Sequence, residues 1–433
     1  MKFFIILIVL IFNLSKVSAS EFLKYLESAY QNNPILNAER ENYKAIKENI
    51  NISRSEFLPS VSISEIKDSQ QDSNRTNKTG VPLPDTSNNK TTQSISIDQK
   101  IFQGFQGYNT IKKSQIESKQ ALLRLKNVEQ NVLLESAFVY YDLIYKIKNK
   151  KFNLANVDLF ERQVETDQSR LQKGEITLTD LAQSESSLAG ANANLISADT
   201  ELLAAKSNFV RIIRLSSSND ILKNNPTDDL NLSFPQDLKT ALMSSEKNNT
   251  KLLLAKLDYE ISKKNVNIEK SKFSPSASIN YTQSKNKEYS ASVDKTDQET
   301  LKATVTMPLF SGGENYSSLK KSKFKKEQSS LILQDTLNAV KTDTANSWSV
   351  YQSAQSVLEA TQAQVKAAEI ANEGITLEYD SGNTRTTLEV IQSRSLLLDA
   401  RIANAKAESN FEVSKFELLA VLGELTLNKL KNS

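Results

Sequence analysis

Four segments of the chain alternate between apolar and polar residues with a period of two. They lie at about residues 59–68, 93–101, 275–284 and 300–308, and Val61-Ser62-Ile63 is representative. Strict alternation is typical of a β-strand that has one apolar and one polar face. The pattern therefore predicts four strands.

Much of the remaining sequence has the longer period of helices. The two longest helices are predicted at 107–171 and 313–379, and at 1.5 Å per residue each would be about 100 Å long. Apolar or small residues recur at steps of three and four in the helix after 177, at Leu181, Ser184, Leu188, Ala191, Leu195, Ala198, Leu202, Ala205, Phe209 and Ile212. A companion seam comprises Trp348, Tyr351, Ala354, Leu358, Thr361, Val365, Ala368, Ala371 and Ile375. Both seams predict paired antiparallel helices.

The pattern occurs twice. FLPSVSI at 57–63 matches FSPSASI at 273–279, and IFQGF at 101–105 matches LFSGG at 309–313. We therefore divide the chain into a signal peptide (1–19), a first repeat (20–214), a linker (215–235), a second repeat (236–423) and a C-terminal tail (424–433). Polar residues at 68–92 and 284–300 predict long loops between the strands of each repeat.

Turn residues mark the ends of these elements. Asn33 suits the N-cap of a helix with Pro34 in its first turn, and we expect this helix to extend to Phe57. Prolines are expected to separate helix from strand, and glycines to form tight strand-to-helix turns that reject bulky replacements. The positions are Pro59 and Pro275 for the first role, and Gly104, Gly107, Gly312 and Gly313 for the second.

The N-terminus has the features of an export signal. Lys2 precedes the apolar run FFIILIVLIF at 3–12, and Val17-Ser18-Ala19 is a small-residue cleavage site, so we expect the mature chain to start at Ser20. The run is too short to span a bilayer as a helix, and no later stretch is long enough. The sequence thus predicts an exported protein without a membrane-spanning helix.

Composition argues against an enzyme and against nucleic acid binding. The chain has no histidine and no cysteine, which removes the commonest general base, the thiolate nucleophile and most transition-metal ligand sets. No phosphate-binding or nucleophile motif occurs, and we expect no cofactor or metal. The formal net charge is +3, and loss of Lys2 and Lys16 with a signal peptide that lacks acidic residues lowers it to +1.

The apolar faces of the four strands need a partner. In an exported protein, strands with one apolar and one hydroxyl-rich face fit a barrel wall with lipid outside and water inside. A spanning sheet must close, and four strands are too few to enclose a lumen, so several chains would contribute to one barrel. The alternative is an exported coiled-coil interaction protein whose hairpins never meet lipid.

Several motifs resemble the TolC family of outer-membrane efflux and type I secretion channels. They are NNPIL at 32–36, FLPSVSI, the turn at 102–107, KGEITLTDLAQ at 173–183 and SGNTRTTLEV at 381–390. The resemblance implies a mainly α fold with a four-stranded β contribution, built from a duplicated helix-strand-strand-helix-helix unit. It further implies a homotrimer with a 12-stranded β-barrel on a long α-helical periplasmic tunnel.

The resemblance also implies a function and partners. The protein would be the passive exit duct of a tripartite efflux pump or a type I secretion system, gated at its periplasmic entrance. Its partners would be a periplasmic adaptor protein, an inner-membrane transporter of the RND or ABC type, and outer-membrane lipid. The nature of the transported substrate does not follow from the sequence.

By the same resemblance, residues of the two helix turns would close the entrance. Thr179, Asp180, Tyr379 and Arg385 match positions that link neighbouring helix pairs, although Asn383 is one residue more than the family pattern has. Glu389 matches an entrance position that favours cations, and Gln392 stands where a second carboxylate ring would be. The local alternative is that Thr177-x-x-Asp180 and Thr386-x-x-Glu389 are capping boxes.

A basic segment, KKSKFKK at 320–326, begins soon after Gly313, and Lys112 and Lys113 lie at the matching place in the first repeat. A helix face in contact with water explains these lysines. Contact with lipid phosphates at the inner rim of the membrane is the alternative.

Overall fold

The computed structural model describes residues 21–217, 232–290, 293–381 and 385–431. The signal peptide, most of the predicted linker, Gly382 and Asn383 lie outside these ranges. The helices are α1 (Glu21–Asn32), α2 (Pro34–Ser55), α3 (Gln106–Gln172), α4 (Leu178–Ile213), α5 (Leu238–Asn248), α6 (Thr250–Ser271), α7 (Glu314–Asp380), α8 (Thr387–Val421) and α9 (Leu427–Lys431). The strands are β1 (Ser60–Asp72), β2 (Arg75–Thr76), β3 (Pro82–Leu83), β4 (Thr86–Gln103), β5 (Ser276–Ser290) and β6 (Val293–Thr306).

Four strands form one antiparallel sheet in the order β1-β4-β5-β6. Val61 pairs with Ile97, Ile97 with Tyr281, and Tyr281 with Leu301, so these side chains share one face of the sheet. The next row, Ser62 with Ser96 and Ser96 with Thr282, lies on the opposite face. The predicted division into an apolar and a polar face is present.

The expected long loops at 68–92 and 284–300 were largely wrong. β1 and β4 remain paired as far as Asp72 and Thr86, and the short ladder of β2 and β3 occupies part of the remainder. β5 extends to Ser290, and β6 begins at Val293. Polar residues can continue a strand because the ladder bonds are made by the backbone, and here side chains add to them, as Ser69 Oγ donates to Asn89 Oδ1 at 2.8 Å.

The helix starts follow from their caps. The backbone N–H groups of Ile35 and Leu36 donate to Asn33 Oδ1 at 2.9 and 3.2 Å, so Asn33 caps α2 as expected. The helix ends at Ser55, slightly before the predicted Phe57. Both long helices have 67 residues, within one residue of the predicted bounds. None of the described helices combines the length and apolarity needed to cross a membrane.

The chain forms two compact units that do not follow the sequence repeats. One contains residues up to 37, 128–249 and from 341 onward, and the other contains 38–127 and 250–340. Each unit therefore draws on both repeats. The second unit holds the sheet, α2 from Ala38 onward, α6 and the first parts of the two long helices.

The first unit has a core of small clusters along its helices. Phe22 of α1 is fully buried and its ring centroid lies 4.6 Å from that of Tyr140 of α3. A second cluster comprises Ala241, Trp348, Leu418 and Leu422. The α4 seam is buried, except that Leu188 and Leu195 are half-buried, whereas most of the α7 seam is half-buried and Ala371 is exposed. Burial of apolar side chains at these seams stabilises the helix pairs.

Candidate entrance site at the helix turns

The α3–α4 turn is held by local hydrogen bonds. Gly174 has a φ of +71°, and the N–H of Glu175 donates to the carbonyl of Arg170 at 2.9 Å, which ends α3. Thr177 and Asp180 form a capping box, in which Asp180 N donates to Thr177 Oγ1 at 3.3 Å and Thr177 N donates to Asp180 Oδ2 at 2.9 Å. The hydroxyl of Thr177, which donates to Asp180 Oδ2 at 2.7 Å, and the Thr177 N–H lower the pKa of Asp180. Thr179 is exposed and takes no part in the box.

The α7–α8 turn ends on a second capping box. Glu389 N donates to Thr386 Oγ1 at 3.3 Å, and Thr386 N donates to Glu389 Oε2 at 2.8 Å. The backbone of Thr386 and the guanidinium of Arg385 lower the pKa of Glu389. Gln392 is exposed near the start of the same helix.

Arg385 is held by carboxylates of its own chain. Its Nε donates to Glu378 Oε2 at 2.6 Å and its Nη1 donates to Glu389 Oε1 at 3.0 Å. The pKa of Arg385 is raised by these two partners, Glu378 first. Within the described residues Arg385 therefore contacts neither Thr179 nor Asp180.

The Tyr379 side chain contacts residues of α3 and α8. Its side chain is buried, and its hydroxyl donates to Asp167 Oδ1 at 2.9 Å and lies 3.1 Å from Thr387 Oγ1. The guanidinium carbon of Arg170 is 4.6 Å from the ring centroid, a cation–π contact. Burial raises the pKa of Tyr379.

Asp167 is the centre of a polar cluster that joins four helices, here called the Asp167 cluster. The carboxylate is fully buried and also accepts from Ser184 Oγ at 2.5 Å and from Gln163 Nε2 at 3.0 Å. Gln163 Oε1 accepts in turn from Arg394 at 3.1 Å. The members, which lie on α3, α4, α7 and α8, are Gln163, Asp167, Ser184, Tyr379, Thr387 and Arg394.

The cluster satisfies a buried charge with hydrogen bonds. Three donors surround the Asp167 carboxylate, which offsets the cost of removing it from water. Burial lowers the pKa of Arg394, and the carboxylates of Asp380 and Asp167 oppose this shift. A network in which each member is bonded to another fixes the relative positions of the helices that carry it.

Sequence reasoning singled out Tyr379 but missed Asp167, Gln163, Thr387 and Arg394 as its surroundings. The available signal was a carboxylate within the buried face of α3, about one turn after Val164 and two turns after Phe160, both of which are buried. Glu378 was also missed, because the partner of Arg385 depends on how the chain reverses between the two helices.

The strand-to-helix turns differ in what constrains their glycines. A Cβ on Gly104, whose φ is +58°, would lie 2.6 Å from the backbone oxygen of Ser271, and one on Gly107 would lie 2.9 Å from the Phe57 ring. At Gly312 and Gly313 nothing lies within 4 Å, although both have positive φ. The intolerance of bulky replacement stays a prediction for all four positions: close contacts support it at Gly104 and Gly107, and a backbone conformation with positive φ supports it at Gly312 and Gly313.

Two prolines each precede a strand. Pro59 immediately precedes β1 and Pro275 immediately precedes β5. Neither residue donates a backbone hydrogen bond, which suits a position between a helix and a strand.

Comparison with known proteins assigns the chain to a family. The family described as outer membrane efflux protein matches residues 25–213 and 241–424, more than half of the chain. The chain therefore belongs to the outer membrane efflux protein family. It is similar to the outer membrane efflux protein BepC of Brucella suis, with 26% identity over 411 residues, covering 94% of this chain and 86% of BepC. It is also similar to TolC of Escherichia coli, with 21% identity over 430 residues, covering 94% of this chain and 83% of TolC.

Solved outer-membrane channels share the fold. The Campylobacter jejuni CmeC channel superposes with a TM-score of 0.80 at 16% identity, covering 95% of this chain and 89% of CmeC. CusC superposes with a TM-score of 0.80 at 13% identity, covering 93% of this chain and 92% of CusC. The protein is accordingly an outer membrane efflux protein with the fold of these channels. The alternative of an exported coiled-coil interaction protein is not supported.

Proposed function

We propose that three copies of this chain form the passive exit duct of a tripartite assembly, closed at the entrance by the α3–α4 and α7–α8 turns. An adaptor protein and an energised inner-membrane transporter would supply the substrate. The observation that carries the proposal is the sheet, in which β1 and β6 are edge strands of 13 and 14 residues that pair on one side only within the described chain. Long unpaired edges favour pairing with further strands.

The faces of the sheet support the same proposal. Val61, Ile63, Leu301 and Val305 are between 64% and 79% exposed, although they are apolar. Exposed apolar side chains on a sheet need lipid or another protein surface. Strand pairing between copies would satisfy the edges, and lipid would cover the apolar face.

The proposed entrance combines contacts that stay fixed within each copy with contacts that can be exchanged between copies. The Asp167 cluster would hold the α7–α8 turn against the α3–α4 turn within each copy. Arg385 is exposed and bonded to Glu378 and Glu389, so its bonds can be exchanged for partners on a neighbouring copy. Asp180 and Thr179 of that copy are the proposed partners.

Glu389 would set ion preference at the entrance. Three copies of an exposed carboxylate in a narrow mouth concentrate cations. Arg385 lies against Glu389 in each copy and reduces this negative potential. Because position 392 is glutamine, we propose a weaker cation preference than a double ring of carboxylates would give.

Ion conductance of the purified protein in a planar bilayer tests the duct and the latch separately. We expect a small wild-type conductance that rises in Arg385→Ala. Arg401→Ala is the matched control, because Arg401 also forms an exposed ion pair, with Glu369 at 2.9 Å, but lies outside the turn. A channel that Arg385→Ala leaves unchanged would contradict the latch and keep the duct, whereas folded protein without any channel activity would contradict the duct.

Ion selectivity tests Glu389 in the same bilayers. Glu389→Gln removes the charge and keeps the side-chain length, and it should lower the preference for potassium over chloride. Asp237→Asn is the control for loss of a capping carboxylate outside the two turns, since Asp237 caps α5 through Thr240 N at 2.8 Å. Unchanged selectivity in Glu389→Gln would show that the residue acts in capping alone.

A further inference from the structure

The first turns of α3 and α7 carry a concentration of lysines that the entrance proposal does not use. Residues 106–119 contain three lysines and one glutamate, and residues 314–327 contain five lysines and two glutamates. Lys112-Lys113 and Lys320-Lys321 each begin six residues after the first residue of their helix. The two repeats therefore place a lysine pair at the same distance from the sheet.

These lysines have few acidic partners. Lys113 Nζ lies 3.6 Å from Glu117 Oε1. Within the described part of the chain, none of the five lysines between 320 and 326 has an ion-pair partner, and Lys320, Lys321, Lys323 and Lys325 are exposed. Because lysines outnumber glutamates in both segments, each segment carries a net positive charge.

An exposed apolar collar lies between the strands and these lysines. It comprises Phe105, Tyr108, Leu309, Phe310 and Tyr316, and Leu309 and Phe310 are 89% and 87% exposed. Aromatic residues with a polar atom favour the boundary between hydrocarbon and water, and apolar residues favour the hydrocarbon side. The order along the chain is thus strand, apolar collar, lysines.

The spacing matches the thickness of a lipid headgroup layer. At 1.5 Å per residue, Lys320 and Lys321 lie at most about 9–11 Å along the axis from the start of α7, and Lys323 about 14 Å. A headgroup layer is about 5–8 Å thick, and a lysine reaches several ångström further along its flexible stem. Lys325 and Lys326 lie about 17–18 Å along the helix and act only through their longer-range field.

We propose that Lys112, Lys113, Lys320, Lys321 and Lys323, here called the basic belt, bind the phosphates of anionic phospholipids at the inner surface of the outer membrane. This inference depends on the outer-membrane location and not on the entrance proposal. The basic belt fixes how deeply the channel sits in the membrane. The apolar collar enters the hydrocarbon layer only until the lysines reach the phosphate groups. Lys112 and Lys320 also contact ring faces, at 5.7 Å from Tyr108 and 5.8 Å from Phe324, which keeps both ammonium groups close to the helix surface.

The test is lipid binding by the purified full chain in detergent, followed by native mass spectrometry during titration with phosphatidylglycerol and, separately, phosphatidylcholine. The variant carries Lys320→Gln, Lys321→Gln and Lys323→Gln. The matched control carries Lys47→Gln, Lys206→Gln and Lys366→Gln, three exposed lysines outside the belt. We expect the belt variant to bind phosphatidylglycerol about tenfold more weakly or worse, with phosphatidylcholine binding unchanged and the control like wild type.

Three results would overturn the proposal. The first is equal phosphatidylglycerol binding by the belt variant and the control. The second is displacement of the lipid by millimolar inorganic phosphate, which would indicate a general anion site. The third is loss of oligomeric mass in the belt variant alone, which would place these lysines at a contact between copies.

Discussion

The two repeats of this chain have the same order of main helices and strands, but different contacts stabilise them. In the first repeat, Asp167 contributes a buried carboxylate, whereas the equivalent position before the second turn, counted from Gly174 and Gly382, is the apolar Ile375. In the first repeat the strand-to-helix glycines are crowded, whereas in the second repeat they lie in open space. The two repeats contain corresponding helices and strands, but the contacts that these elements make differ.

The divergence has a physical reason. A charge in a packed helix seam is tolerated when its neighbours donate hydrogen bonds to it, and one such centre is enough to join four helices. A carboxylate at position 375, which is half-buried, would also add a desolvation cost and would need its own donors. The apolar residue at 375 thus avoids that cost in the second repeat.

The largest effect should come from Asp167→Leu compared with Ile375→Leu. The first change leaves the hydroxyls of Tyr379 and Ser184 and the amide of Gln163 without their shared acceptor, and it should lower the free energy of unfolding by about 3 kcal/mol. The second exchanges apolar side chains of equal volume and should cost less than about 1.5 kcal/mol. Thermal unfolding in detergent, followed by circular dichroism, measures both.

A rescue variant separates loss of the carboxylate from general disruption. Asp167→Ser combined with Ser184→Asp moves the carboxylate across the same contact between α3 and α4. We expect it to recover part of the stability that Asp167→Leu loses. Equal stability of Asp167→Leu and Ile375→Leu would show that the difference between the repeats does not reside in the Asp167 cluster.

Next in size is Gly104→Ala compared with Gly312→Ala. Both positions have a positive φ, which costs an alanine about 1 kcal/mol. At Gly104 the added Cβ also collides with the Ser271 carbonyl and Ser274 side chain, so we expect a loss of about 2–3 kcal/mol there and about 1 kcal/mol at Gly312. Equal melting temperatures for the two variants would mean that the first turn relaxes as readily as the second.

Tyr379→Phe is a smaller change in the same network. It removes only the hydroxyl that donates to Asp167 and contacts Thr387, and it should lower the free energy of unfolding by about 1 kcal/mol. The same variant should raise bilayer conductance if the cluster positions the entrance. Tyr316→Phe, at a side chain that is 67% exposed, is the control and should change neither quantity.

The smallest effect is the pH dependence of the two capping boxes. The pKa of Asp180 is lowered below its ordinary value of 3.8, and that of Glu389 below 4.5. Each therefore contributes stability that is fully present above its ordinary value and is lost as the pH falls through the lowered pKa. Melting temperatures measured between pH 7 and pH 3 should show the difference between wild type and Glu389→Gln disappearing at the acid end, and an undiminished difference at pH 3 would contradict the assignment.

The sequence alone determined the periodic elements. Alternation over two residues identified the four strands, and steps of three and four identified the long helices, because these periods follow directly from backbone geometry. The capping boxes were also readable, since each is closed by residues three positions apart. The family resemblance followed from motifs that occur in both repeats.

Only the tertiary structure decided which residues meet across elements. Tyr379 was selected from the sequence, but its partner is Asp167, 212 residues away in the chain. The strands also continued through polar segments that composition assigned to loops, because backbone pairing with a neighbour does not require apolar side chains. Local periods arise from neighbours along the chain, whereas the acceptor of a buried hydroxyl and the space beside a glycine depend on helices and strands that the sequence brings together only by folding.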